Sequence, residues 1–112
     1  MNPRFDKELD FQPDGSLEVC GPTNLDADVN YMTITHLRID DGSGHVEDRT
    51  GLSVVAQQTD TDWMAVLPNM KPPCVPTTPR GAEKASGHAD ATLTMTDGTT
   101  RPFSWDDHFT LV

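Results

Sequence analysis

Positive charge is scarce in this chain: 8 Lys and Arg stand against 18 Asp and Glu, for a formal net charge of −10. A field of that sign repels phosphate polymers and anionic headgroups, so neither nucleic acid nor a membrane surface is an expected partner. No apolar run approaches the roughly 18 residues of a membrane span. The opening residues, Met1 to Lys7, also lack the apolar stretch of a signal peptide. The expectation is a cytosolic chain, or a mature domain whose export signal has been removed.

Cysteine is equally sparse, with Cys20 and Cys74 alone among 112 residues. A chain this long buries roughly two-thirds of its unfolded surface, so it needs neither a disulfide framework nor a structural metal to fold. If Cys20 and Cys74 pair, the cross-link contributes about 4 kcal/mol in the chain-entropy model and points to an extracellular or periplasmic compartment. Cys20 ends a strand and Cys74 lies in a loop, where a cross-link helps most; the alternative is two free buried thiols without a function.

Catalytic signatures are missing as well. Ser43, between Gly42 and Gly44, lacks the second spacer of a Gly-x-Ser-x-Gly elbow, and no Gly-rich phosphate loop leads into a helix. None of His36, His45, His88 and His108 has a zinc-binding spacing. Carboxylates are too numerous for any pair to stand out as acid and base. An enzyme is therefore not the leading expectation, and no cofactor is implied.

What the chain does contain is β-strand patterning. Apolar residues make up only 35% of it, below a typical globular composition, yet they cluster in short runs between turn residues, which favours a folded domain with polar loops over disorder. Residues 1–15 form an N-terminal arm, either a short helix or an edge segment, closed by the turn Pro13, Asp14, Gly15. Residues 16–20 alternate as a first strand. Residues 29–40 are the longest β-like run, but Met32 and Ile34 are out of phase with Leu37 and Ile39; a bulge near Thr35 and His36 brings all four to one face. Strands are further expected at 45–48, 52–57 and 62–67, the last apolar on both faces as a buried strand would be.

Residues 68–86 hold Pro68, Pro72, Pro73, Pro76 and Pro79 and read as an irregular crossover, since proline excludes helix and central strand alike. Clear alternation returns at 88–96. The turn after it decides a register. A two-residue Asp97-Gly98 loop sends Phe103 and Trp105 to the polar face, whereas a three-residue loop of Thr96, Asp97 and Gly98 sets Phe103 opposite Ala91 and Trp105 opposite Ala89. Large then packs beside small, so the second register is expected. A last strand resumes at 108–112 after Asp106 and Asp107.

About seven short strands with regular turn signals describe a β-sandwich or small barrel. The final hairpin, from Gly87 through Asp97 and Gly98 to Trp105, resembles the closing strands of bacterial immunoglobulin-like domains over the last quarter of the chain. That resemblance implies one all-β, immunoglobulin-like antiparallel sandwich spanning 1–112. Trp63 lies far from Cys20 and close to Cys74, unlike the Cys, Trp, Cys order of antibody-type domains, so the resemblance extends to architecture alone.

Three places carry candidate chemistry. Asn24, Asp26, Asp28 and Asn30 alternate like oxygen ligands for calcium, but Tyr31 stands where a sharp-turn glycine belongs, and an Asp-rich loop entering a strand is the ordinary alternative. His108, beside Asp106 and Asp107, joins a metal or acid-base site if the fold brings His88 alongside; exposed strand histidines are the ordinary alternative. Met70, Lys71, Pro72, Pro73 and Val75 form a segment stiffened by proline, pre-ordered for docking or, in a sharper version, for protease inhibition through Met70 and Lys71. The leading expectation is a non-catalytic binding or structural module acting through its loops on a protein or glycan. The alternatives are a small protease inhibitor and a small β-fold enzyme or metal-binding protein.

Overall fold

The computed structural model describes residues 3–23, 28–59, 61–71, 74–76 and 84–112. Among them are nine strands and no helix: β1 (Glu8–Phe11), β2 (Leu17–Pro22), β3 (Val29–Asp40), β4 (Val46–Arg49), β5 (Val54–Val55), β6 (Gln57–Gln58), β7 (Asp62–Leu67), β8 (Ala85–Met95) and β9 (Thr100–Leu111). They hydrogen-bond in the order β4-β3-β8-β9-β1-β2-β7-β6, with β5 beside β3. The result is a curled mixed sheet shaped as a half-barrel. The sheet is not wholly antiparallel, because β1 runs parallel to β9 through Glu8 opposite Thr110 and Leu9 opposite Leu111.

The N-terminal arm is neither helix nor edge. Leu9 is buried while Glu8 and Asp10 are exposed, and β1 lies between β2 and β9, so it is an internal strand with one outward face. Ahead of it, Arg4 N–H donates to the Pro22 carbonyl at 3.1 Å and Asp6 N–H to the Cys20 carbonyl at 2.8 Å. These bonds seat Phe5 in the core, and they explain why β2 runs through Gly21 and Pro22 instead of breaking there. Gly21 is required by this approach: a Cβ at that position would lie 1.7 Å from the Arg4 carbonyl oxygen.

In β3 the register against β8 shifts between Ile34 and His36, a bulge at Thr35, and Met32, Ile34, Leu37 and Ile39 are all fully buried. The final hairpin closes around Thr96, Asp97 and Gly98, with Met95 N–H donating to the Thr99 carbonyl at 2.8 Å and Gly98 at a φ of +87°. Ala89 faces Trp105 and Ala91 faces Phe103. Small residues line the inner face of β8 because aromatic rings occupy the space in front of them; a Cβ on Gly87 would meet the Phe109 ring at 2.9 Å.

Four further expectations change. β9 continues unbroken through Asp106 and Asp107, because their spacing preserves the phase that carries Trp105 and Phe109 inward. The irregular segment ends at Lys84, since Ala85 and Ser86 already pair with Phe109 and His108. The 52–57 strand splits into β5 and β6, which join different partners on either side of buried Ala56. β7 is buried on one face alone: Trp63, Ala65 and Leu67 point inward, while Val66 on the other face is 45% exposed.

The core is centred on an aromatic cluster. Phe5 packs against Trp63, Trp105 and Phe109 at ring separations of 6.0, 5.6 and 5.2 Å, and Trp63 meets Trp105 edge-on at 5.5 Å. Burial of this size dominates a small core, and edge-on contacts add to it. Trp63 Nε1–H is satisfied by the Arg4 carbonyl at 2.8 Å, whereas Trp105 Nε1 has no partner among the described residues.

Candidate functional sites at the loop end and on the outer face of the sheet

The Pro-rich segment is anchored at several points. Met70 and Cys74 are fully buried, and the Met70 and Lys71 amides both donate to the Gly15 carbonyl, at 3.0 and 2.9 Å. Arg49 reaches from β4 to the Pro68 carbonyl and, at 2.5 Å, to that of Asn69, while its Nε–H bonds Glu47 at 2.9 Å. Asp41, buried at the end of β3, accepts from the Ser43 and His45 amides through Oδ1 and from the Val75 amide through Oδ2 at 3.2 Å. A buried carboxylate is tolerated there because backbone donors surround it.

This anchoring redistributes the expected docking residues. Met70 contributes to the core, Lys71 and Val75 face outward, and Pro72 and Pro73 lie outside the described residues. Lys71 Nζ sits 5.6 Å from the centre of the Phe11 ring, within range of a cation–π contact. Between this segment and the turn that joins β1 to β2 lies an open cleft of about 600 Å³, lined by Phe11, Pro13, Asp14, Lys71, Pro76 and Val112 among others. The Asp14 carboxylate is held below its ordinary range by the hydroxyl and amide of Ser16, which keeps this turn closed and anionic.

Cys20 and Cys74, the candidate disulfide, are free thiols. Cys20 lies on the outward side of β2 and donates to Asp6 at 3.3 Å. Partial burial, reinforced by Asp6, pushes its thiol up to about 12, and burial followed by the charge of Asp41 pushes Cys74 up to about 11. Both therefore remain protonated at neutral pH, and thiols are poor nucleophiles in that state. The described residues of the loop are anchored by Arg49, Asp41 and Gly15 instead of a cross-link.

A second constellation lies on the outer face of β4, β3, β8 and β9. The bulge at Thr35 turns His36 outward opposite Asp90, while His88 stands opposite Asp106 and beside Arg38. The side chains form one continuous row. Asp48 bonds His36 Nε2 at 2.5 Å, His36 Nδ1 bonds Asp90 Oδ2 at 2.8 Å, Asp90 Oδ1 meets His88 Nε2 at 3.1 Å, and His88 Nδ1 bonds Asp106 at 2.9 Å. The two imidazole rings are 5.7 Å apart. Hydrogen bonds to the carboxylates of Asp90 and then Asp48 raise the His36 pKa above the ordinary range, and the bond with His36 holds Asp90 below its own.

The fold brings His88 beside Asp106, the condition on which a site near His108 depended, but the other histidine in the row is His36. His108 stands opposite Ser86 and borders a shallow cavity shared with Arg38 and His88. Only the β3 register reveals His36: once the bulge is placed and β3 is paired with β8, Asp90 falls opposite it. Of the calcium-like alternation, Asn24 and Asp26 lie outside the described residues. No helix among the described residues is long and apolar enough to cross a membrane. The chain matches no protein-family model, no curated protein and no solved structure.

Proposed function

We propose that this chain is a non-catalytic, immunoglobulin-like β-sandwich module that binds a protein partner through the loop end, at the cleft between the β1–β2 turn and the Pro-rich segment. The strand order supports the sandwich. Lettered in chain order with the short β5 set aside, the continuous path β4-β3-β8-β9-β1-β2-β7-β6 reads C′-C-F-G-A-B-E-D, the order that an immunoglobulin-like domain divides between two sheets. The antibody-type disulfide and Trp are absent, because Cys20 faces outward and both Trp residues sit on β7 and β9.

The observation that carries the functional reading is the placement of the aromatics. Trp63 and Trp105 are 1% and 3% exposed and Tyr31 is 39% exposed. No tryptophan platform is left for sugar stacking, and recognition falls to the loops, where anchored backbone lowers the ordering cost of binding. A net charge of −10 steers the chain toward a cationic protein surface.

Selection from a displayed random-peptide library, run beside a glycan array, tests this reading. The expected result is a set of related basic peptides whose affinity falls at least about tenfold, or about 1.4 kcal/mol, in Phe11→Ala and Asp14→Asn and is unchanged in Tyr31→Ala. Binding confined to glycans, or binding indifferent to the cleft variants, would overturn it.

A further inference from the structure

We infer that His36, His88 and Asp90 form a site for one divalent transition-metal cation of the zinc class, separate from the loop-end cleft. Among the described residues, these three each offer a ligand atom within 4.8 Å of the other two. They come from the adjacent strands β3 and β8, and strands hold ligands more firmly than loops do.

The argument rests on how the row is spaced: Asp90 lies within 3.1 Å of a nitrogen of each ring, and each ring has a further carboxylate on its other nitrogen. A neutral imidazole carries one N–H and one lone pair. Asp48 on His36 Nε2 and Asp106 on His88 Nδ1 each call for a donor, and so does Asp90 between the rings, so the single N–H of a neutral ring serves only one of its two carboxylates. With the N–H on the outer nitrogens, the lone pairs of His36 Nδ1 and His88 Nε2 would both point at the Asp90 carboxylate, at 2.8 and 3.1 Å. Lone pair against anion is repulsive. Either each imidazole takes up a second proton, or one cation sits between the two nitrogens and Asp90.

The surroundings fit the cation. Metal-ligating histidines characteristically donate their other N–H to a carboxylate, which orients the ring and raises its basicity; Asp48 and Asp106 already occupy those positions. Three carboxylates against the Arg38 guanidinium, which β3 places opposite His88, leave two negative charges for a divalent ion to neutralise. Two imidazoles and one carboxylate are a donor set suited to zinc, whose bonds of about 2.0–2.2 Å set neighbouring ligand atoms roughly 3.3 Å apart in a tetrahedron. The Asp90 contacts are already close to that spacing. Side-chain exposures of 25% for His36 and 33% for His88 leave the fourth position open to water or to a partner's ligand.

The experiment titrates the tag-free chain with zinc chloride at pH 7.5 by calorimetry, with imidazole ¹⁵N NMR on the same sample. One equivalent is expected to bind, releasing protons, with His36 coordinated through Nδ1 and His88 through Nε2. Asp90→Asn, His36→Gln and His88→Gln should each weaken binding at least about 100-fold while circular dichroism shows a folded chain, and Asp48→Asn and Asp106→Asn by roughly 10- to 100-fold. His45→Gln and His108→Gln should leave it unchanged. Absence of binding at millimolar zinc, binding that survives His36→Gln or His88→Gln, or loss on His108→Gln would each overturn the assignment.

Discussion

Replacing Gly21 by Ala adds a single methyl group and should be among the most damaging small changes in the chain. The new Cβ would lie 1.7 Å from the Arg4 carbonyl oxygen, 2.7 Å from its carbon and 3.0 Å from the Asp6 nitrogen. All three are backbone atoms, so no side chain can rotate away and the N-terminal segment must move by well over an ångström. The Arg4-to-Pro22 and Asp6-to-Cys20 hydrogen bonds flank the site, each with a net contribution of about 1 kcal/mol. Between them Phe5 enters the aromatic cluster, and complete loss of a buried Phe costs roughly 3–5 kcal/mol. Partial withdrawal of Phe5 together with both bonds gives an expected destabilisation of roughly 3–5 kcal/mol. Urea unfolding followed by Trp fluorescence measures it, since Trp63 contacts Phe5 directly. Phe5→Ala should cost a similar amount, and the double variant little more than either, because both remove one interaction. A Gly21→Ala cost below about 1 kcal/mol, or full additivity with Phe5→Ala, would refute the reasoning.

Other outcomes follow from the same contacts. Asp41→Ala should destabilise the chain by roughly 2–4 kcal/mol, because three amides lose their acceptor in a buried setting; a change under 0.5 kcal/mol in chemical denaturation would show that the turn does not hold the Pro-rich segment. Trp63→Phe should cost about 1–2 kcal/mol more than Trp105→Phe, since only the first removes a made hydrogen bond, and equal midpoint shifts would contradict this. With thiols pushed up to about 12 and about 11, iodoacetamide at pH 7.5 should label native Cys20 slowly and Cys74 not at all, and both once denaturant is added without reductant. By the same shifts the protonated thiols favour the folded state below about pH 9, an effect that fades as pH rises through 11 to 12. Failure to find two thiols in denaturant would mean a cross-linked chain. Gly98→Ala, at a φ of +87°, should cost roughly 1–2 kcal/mol, read as a lower midpoint with an unchanged slope.

Local chemistry made the hairpin and the bulge legible, because each concerns how many residues separate two runs of alternating side chains. Phe103 and Trp105 reach the core in only one of the two hairpin registers, and Met32, Ile34, Leu37 and Ile39 share a face only with one extra residue. What stayed illegible depends on partners far along the chain. The parallel pairing of Leu9 with Leu111 joins the two ends and leaves no mark in either segment. Likewise, the Pro-rich segment is held by Asp41 and Arg49, 34 positions before Val75 and 20 before Asn69, and neither residue type advertises that contact. The His36 to Asp90 contact spans 54 positions and needs both the bulge and the strand order. β7 misled because Met64 and Val66 are apolar yet lie on the outer face, where single exposed apolar residues are ordinary.

The claim that recognition runs through the loop end is tested most directly by mapping amide shifts of the ¹⁵N-labelled chain against a peptide recovered by selection. The expected result is perturbation concentrated at Phe11 to Gly15, Lys71, Val75 and Val112, with His36, Asp90 and Asp106 unmoved. Perturbation centred on the outer face of β3 and β8, with the loop residues silent, would contradict it.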